Sequence, residues 1–134
     1  MKKTEQALLY GFNDMARLEQ ARKALTKLGI AVKVLEEGAW REKIGYLLGM
    51  EGFKGTKALD DDFVFPHEVV VLQNIRNKRL DEVLASLEQN GVGDIKFKSV
   101  VTPFNTLWTL RRLCETMQRE HSTLLAADKK MEQE

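Results

Sequence analysis

One thiol and two imidazoles are the reactive side chains of this chain: Cys114, His67 and His121. A thiol beside an imidazole is the pairing of a covalent nucleophile with its base, and Cys114 and His121 invite that reading. They stand seven residues apart in one predicted helix, which separates them by ~10.5 Å along its axis. A nucleophile and its base need about 2.6–3.2 Å between heavy atoms. They form no dyad within one chain, and Cys114 reads as an inert, buried apolar residue. His67 opens a predicted strand, and two histidines with one cysteine scattered in this way make no zinc site. Asp60-Asp61-Asp62 is the one dense acidic cluster. Consecutive carboxylates lack the alternating spacing and the glycine of a calcium loop, so the cluster reads as a solvated turn. The chain has no Gly-x-Gly-x-x-Gly and no phosphate loop ending in Gly-Lys-Ser/Thr. Enzymatic activity is disfavoured, and neither a cofactor nor a metal is expected.

Binding has better candidates. Gly11-Phe12-Asn13-Asp14 joins the first predicted strand to the first helix, where backbone N–H groups can hold a carboxylate or phosphate. The element order is also similar to that of the ACT-type regulatory modules, which bind amino acids at such a loop, a likeness of fold alone. Against this stands a structural reading, because every strand–helix unit needs a small residue and a cap at this point. Nucleic acid is disfavoured. The 21 Lys+Arg nearly cancel 20 Asp+Glu, for a net charge of +1, so no bulk field draws a polyanion. Tyr10 is the one aromatic on the first strand and the third offers only Val and Leu, a poor platform for stacking bases.

The elements that position these residues follow from periodicity. Ala7-Leu8-Leu9-Tyr10 reads as a strand closed by Gly11. Met15, Leu18, Ala21, Leu25 and Leu28 make one helical stripe, capped by Asn13 or Asp14 and ended by Gly29 in the left-handed conformation. A strand over 30–35 follows. The same grammar returns 62 positions later, with Val70-Val71-Leu72, then Leu80, Val83, Leu84 and Leu87, then Gly91-Val92 and a strand over 95–101. The first and third strands are apolar on both faces, as central strands are. Lys33 in the second, and Lys96 with Lys98 in the fourth, mark edges, because a charge discourages pairing with another chain. Two βαβ units of this kind predict an α+β, ferredoxin-like βαββαβ sandwich with an antiparallel sheet of order 4-1-3-2. Trp40, Ile44, Leu47 and Leu48 predict a helix inserted after the second strand, despite Gly45. Residues 50–66 read as a loop pinned by Phe53, Phe63 and Phe65. A long helix spans roughly 106–131, its start set by Thr102 with Pro103, by Asn105 or by Thr109.

On these residues the chain resembles a family of small bacterial proteins that carry a domain of unknown function. Leu8-Leu9-Tyr10 with Phe12, Leu28-Gly29-Ile30, Trp40 with Tyr46-Leu47-Leu48, and Val69 to Leu72 carry part of the likeness. The most distinctive string is Val101-Thr102-Pro103-Phe104-Asn105 with Trp108 and Leu110. The resemblance covers about residues 5–118 and implies no activity.

A length of 134 residues with 43% hydrophobic and 31% charged residues predicts one domain, its core at about 5–118 and residues 119–134 a helical extension or loose tail. A single cysteine permits no intrachain disulfide and fits a reducing cytosol. The apolar run after Met1-Lys2-Lys3-Thr4 is too short for a signal segment. No window approaches the ~18 apolar residues of a membrane helix, so a cytoplasmic protein with no membrane partner is expected. The last helix carries the least generic signal. Leu110, Leu113, Met117, Glu120, Leu124, Ala127 and Met131 alternate spacings of three and four, a heptad seam with one polar exception. At ~38 Å for about 25 residues this helix outruns a strand of typical length. The sequence therefore predicts a non-enzymatic interaction or regulatory module, a homodimer joined through Trp40, Trp108, Leu110, Leu113, Met117 and Leu124. The alternative is a module that binds an amino-acid-like metabolite at Gly11, Phe12, Asn13 and Asp14.

Overall fold

A strand that buries both faces has to sit inside a sheet, and one that alternates apolar residues with lysine belongs at its margin. The computed structural model, which describes residues 4–56, 63–93 and 95–132 with side chains through residue 121, follows that rule. Strands β1 (Gln6–Tyr10), β2 (Ala31–Val34), β3 (Val69–Gln73) and β4 (Phe97–Val100) form one sheet. Leu8, Leu9, Val70 and Val71 in the inner pair are fully buried. In the outer pair Lys33 Nζ donates to the Leu47 carbonyl and Lys98 Nζ to that of Ile95.

The strand order is β2-β1-β3-β4, not the expected 4-1-3-2. β1 and β3 are antiparallel neighbours at the centre, but β2 lies parallel beside β1 and β4 parallel beside β3, so the sheet is mixed. Both orders share the central pair and put strands two and four at the edges. They differ only in which edge strand goes to which side, and side-chain patterning reports depth in a sheet, not the identity of a neighbour. The ferredoxin-like order would set β2 and β3 side by side. Here the long connection between them leaves the sheet margin and lays Trp40, Ile44, Leu47 and Phe65 over one sheet face. Backbone bonds from Ala31 N to Glu5 O and from Leu35 N to Leu9 O fasten β2 to β1 at both ends.

Helices cover both faces. On one, α1 (Met15–Thr26) and α3 (Lys78–Gln89) lie together over Ala7, Leu9, Val70 and Leu72. Ser86 Oγ donates to the Ala24 carbonyl at 2.7 Å where the two helices meet. Both helices end in a positive-φ glycine, Gly29 and Gly91, and Ile30 N and Val92 N reach back to the Leu25 and Leu87 carbonyls. The other face is covered by a 3-10 turn (Glu37–Arg41), by α2 (Ile44–Leu47) and by the first half of α4 (Leu110–Glu132). The helix expected through Trp40 and Leu48 is thus two short pieces. Between them Lys43 is extended and bridges Thr109, a tie that local periodicity does not contain. A Cβ at Gly45 would lie 2.4 Å from the Phe53 ring, so a side chain there would have to displace that ring.

The start of α4 resolves the three candidate caps. Thr102 and Asn105 bond reciprocally, backbone to side chain, at 2.8 and 3.1 Å, and Asn105 Nδ2 donates to the Val100 carbonyl. They shape a 3-10 turn (Asn105–Leu107). Thr109 then caps the helix, its Oγ1 accepting from Arg112 N.

The repeat is written in three dimensions. β1 and β3 are 63 positions apart, as are α1 and α3, one more than the 62 read from the sequence. The equivalent of Leu8 is therefore Val71 and not Val70, and the two pair at the centre of the sheet. Two ion-pair forks repeat at nearly the same offset, 63 positions between Glu5 and Glu68 and 62 between Arg17 and Arg79. Arg17 in α1 grips Glu68, with Nε and Nη2 donating at 2.8 and 2.7 Å. Arg79 in α3 grips Glu5 in the same way, at 2.7 Å for both bonds. Each half of the molecule therefore reaches across the central seam to the strand of the other.

Candidate functional site

Because β1 and β2 are parallel, their carboxyl ends open on the same side, the place where open sheets with helical crossovers hold ligands. A cleft of about 420 Å³ lies there. Its floor is Leu9 and Tyr10 of β1 with Val34 and Leu35 at the end of β2, and one wall is Gly11-Phe12-Asn13. The opposite wall is Phe63 to Pro66, the approach to β3, and Glu37 closes the rim.

Gly11 makes the turn possible. Its φ is +78°, and a Cβ would sit 2.5 Å from the His67 carbonyl oxygen, so the chain passes against β3's approach with no room for a side chain. Three residues later Asp14 caps α1, its Oδ1 accepting from Ala16 N at 2.9 Å and Arg17 N at 3.4 Å. These amides are the donors that an anionic ligand would need at the helix start, and a carboxylate of the chain already holds them. Tyr10 Oη donates to the Glu37 carbonyl at 2.9 Å, tying the floor to the rim. Burial pushes the Tyr10 phenol up to about 12, helped by the negative charges of ionised Cys114 and of Glu37.

Behind the cleft runs a chain of rings. Trp40, Phe63 and Phe65 succeed one another at 5.8 and 6.2 Å between centroids. Phe65 then meets His67 at 5.3 Å and Phe97 at 5.1 Å, and Phe97 touches His121 at 5.7 Å. Cations stack on this cluster: Arg111 lies 5.1 Å from the Phe63 centroid and Arg41 5.0 Å from that of Trp40.

Residues 68–124 match the family described as a domain of unknown function, DUF3783. No curated protein and no solved structure matches the chain. The DUF3783 segment is less than half of the 134 residues. It holds β3, α3, β4 and the first part of α4, and every residue lining the cleft lies outside it.

The site residues expected from sequence are distributed as follows. Gly11, Phe12 and Asn13 line the cleft, and Asp14 serves α1. Trp40, Leu110, Leu113 and Met117 are buried against the chain's own sheet, and Trp108 is half-buried with Arg112 stacked 4.5 Å from its ring. Leu124, Ala127, Met131 and Asp60-Asp61-Asp62 lie outside the described side chains. Cys114 is buried, its thiol raised to about 12 by desolvation first and by Glu115 second, while His121 packs on Phe97. Among the described residues no His/Cys/Asp/Glu group is placed to hold a metal, and no helix is long and apolar enough to cross a membrane.

Sequence reasoning missed Val34, Leu35, Glu37 and the Phe63–Pro66 wall, which are remote from the loop in the chain. The aromatic spacing of Phe63 and Phe65 was their one signal. A second depression, of about 740 Å³, is lined by Thr4, Glu5, Asn74, Arg76 and Arg79 among others. Its polar groups hold the fold: Asn74 bonds Thr4 O, and Arg79 bonds Glu5, Glu82 and the Leu28 carbonyl.

Proposed function

We propose that this protein is a non-catalytic, ligand-responsive binding module whose site is the cleft at the carboxyl ends of β1 and β2. The observation that carries the reading is the cleft itself: about 420 Å³, within the range of roughly 300–1,000 Å³ typical of small-molecule sites, with apolar and aromatic residues lining it beside exposed polar groups. Three of the four residues expected to form a ligand loop line it. A cytoplasmic setting belongs to the same reading, supported by the single buried thiol. The test is a thermal-shift screen of soluble metabolites on the full chain, repeated on Asn13→Ala. The expected result is a stabilising compound whose effect falls in the variant. A broad screen at millimolar concentration with no shift would overturn the proposal.

A second reading is self-association through α4, favoured by one observation. Leu110, Leu113 and Met117 of the heptad seam are buried at home, yet the helix runs on to Glu132. That leaves 15 residues beyond Met117, ~22 Å at 1.5 Å per residue, along which the sequence repeats the seam as Leu124, Ala127 and Met131. The sheet needs no partner, because both its faces are covered within one chain. Light scattering decides: a dimer lost on removing residues 119–134 is expected, and a strict monomer at high micromolar concentration, unchanged by the deletion, refutes it.

A further inference from the structure

The cleft's electrostatics select among ligand classes, and this inference rests on the binding proposal just made. We infer that the cleft takes a small amphiphilic cation, an amine on an aromatic or branched apolar body. Among its described lining residues Glu37 is the one charged side chain, and none of them is Lys, Arg or His. Donors at the start of α1 that could receive an anion are engaged. The amides of Ala16 and Arg17 at the start of α1 face the Asp14 carboxylate, and the Arg17 guanidinium is held by both oxygens of Glu68. A carboxylate or phosphate entering here would meet Glu37, with no cation among the described lining residues to offset it.

An amine meets the opposite situation. The walls include Tyr10, Phe12, Phe63 and Phe65. Tyr10 and Phe65 are buried in the core, so the half-buried rings of Phe12 and Phe63 are the ones that meet a ligand. Aromatic faces carry negative potential that attracts cations. The ring cluster already takes cations: Arg111 lies over Phe63 of the wall itself, and Arg41 over Trp40 behind it. The apolar body of the ligand would lie along Val34, Leu35 and the rings, and its ammonium would sit at the rim toward Glu37. Tyr10 leaves that carboxylate available, because its hydroxyl is bonded to the backbone carbonyl of Glu37 and not to the side chain.

The experiment compares three probes of one shape and different charge: 2-phenylethylamine, 2-phenylethanol and 3-phenylpropionate. Each is titrated into the full chain at pH 7, followed by amide chemical shifts in NMR. The expected result is saturable shifts centred on Gly11, Phe12, Asn13 and Val34, with the amine at least about tenfold tighter than the carboxylate. Glu37→Gln should then weaken the amine several-fold and leave the alcohol unchanged, which separates a charge effect from damage to the fold. Equal or tighter binding of 3-phenylpropionate at the same amides overturns the assignment of ligand class while supporting the cleft. No localised shift from any probe at millimolar concentration overturns the cleft as a site for this class of molecule. Binding of all three that is unaffected by Glu37→Gln overturns the role given to Glu37.

Discussion

Two glycines with nearly the same backbone angle separate conformational strain from steric collision. Gly29 has φ +77° and open space where a Cβ would stand, whereas Gly11 has φ +78° and the His67 carbonyl oxygen 2.5 Å from that point. Gly29→Ala should therefore cost about 1 kcal/mol from the left-handed backbone alone. Gly11→Ala must in addition displace the chain before β3, and should cost at least ~2–3 kcal/mol. Urea denaturation of both variants checks the contrast, and equal losses would show that the approach to β3 yields freely. The buried thiol and phenol make a second residue-scale prediction. Cys114 and Tyr10 are both raised to about 12 in the folded chain. Each then stabilises the fold fully below its unfolded value, near 9 for the thiol and 10 for the phenol. The contribution is lost as pH rises toward 12. Stability should fall above pH 9, and Cys114→Ala should flatten the first part of that fall. In the native protein at pH 8 the thiol should react with a disulfide reagent only at the rate of unfolding.

At the scale of elements, the caps and strands were legible because their causes are local. Asp14, Gly29 and Gly91 act within a few residues, and the doubly apolar strands report their own burial. The split of the predicted 40–48 helix and the cleft's second wall were not legible, since Lys43 answers to Thr109 and Phe65 to Phe97, partners far away in sequence. The two forks, Arg17–Glu68 and Arg79–Glu5, are long-range as well, spanning 51 and 74 residues, although their arginines stand 62 positions apart and their glutamates 63, close to the offset of the repeat. Their energetics are testable. The hydrogen bonds from Arg79 hold the Glu5 carboxyl below its ordinary value of 4.5. A depressed carboxyl contributes its stability above the unfolded value and loses it as pH falls through the folded one. Both side chains keep over a quarter of their exposure, so solvent screens the pair. Glu5→Gln should cost about 1 kcal/mol at pH 7, and less below pH 4. A loss that does not shrink in acid would mean that Glu5 acts by packing and not by charge.

The whole molecule is two similar halves that share one core. Ala7, Leu9, Ala21 and Leu25 come from the first, and Val70, Leu72, Val83 and Leu87 from the second, in one continuous cluster. This is why sequence patterning identified the central pair and both edges yet misassigned the edge neighbours: the pattern of each half is nearly the same, and exchanging the edges alters no residue's depth. It also bears on the segment that matches DUF3783, which contains β3 but not β1, its antiparallel partner along all five residues. Residues 68–124 therefore complete their sheet only by pairing with the first half. If the halves are one cooperative unit, native-state hydrogen exchange should give the amides of β1 and β3 the same opening free energy, equal to that of global unfolding. Exchange through a lower-energy opening of β1, α1 and β2 together, with β3 and β4 still protected, would show instead that the matched half holds its structure alone. The shared cluster argues for the first outcome, because removing β1 and α1 would expose Val70, Leu72 and Val83 at once, and each is now at most 1% exposed.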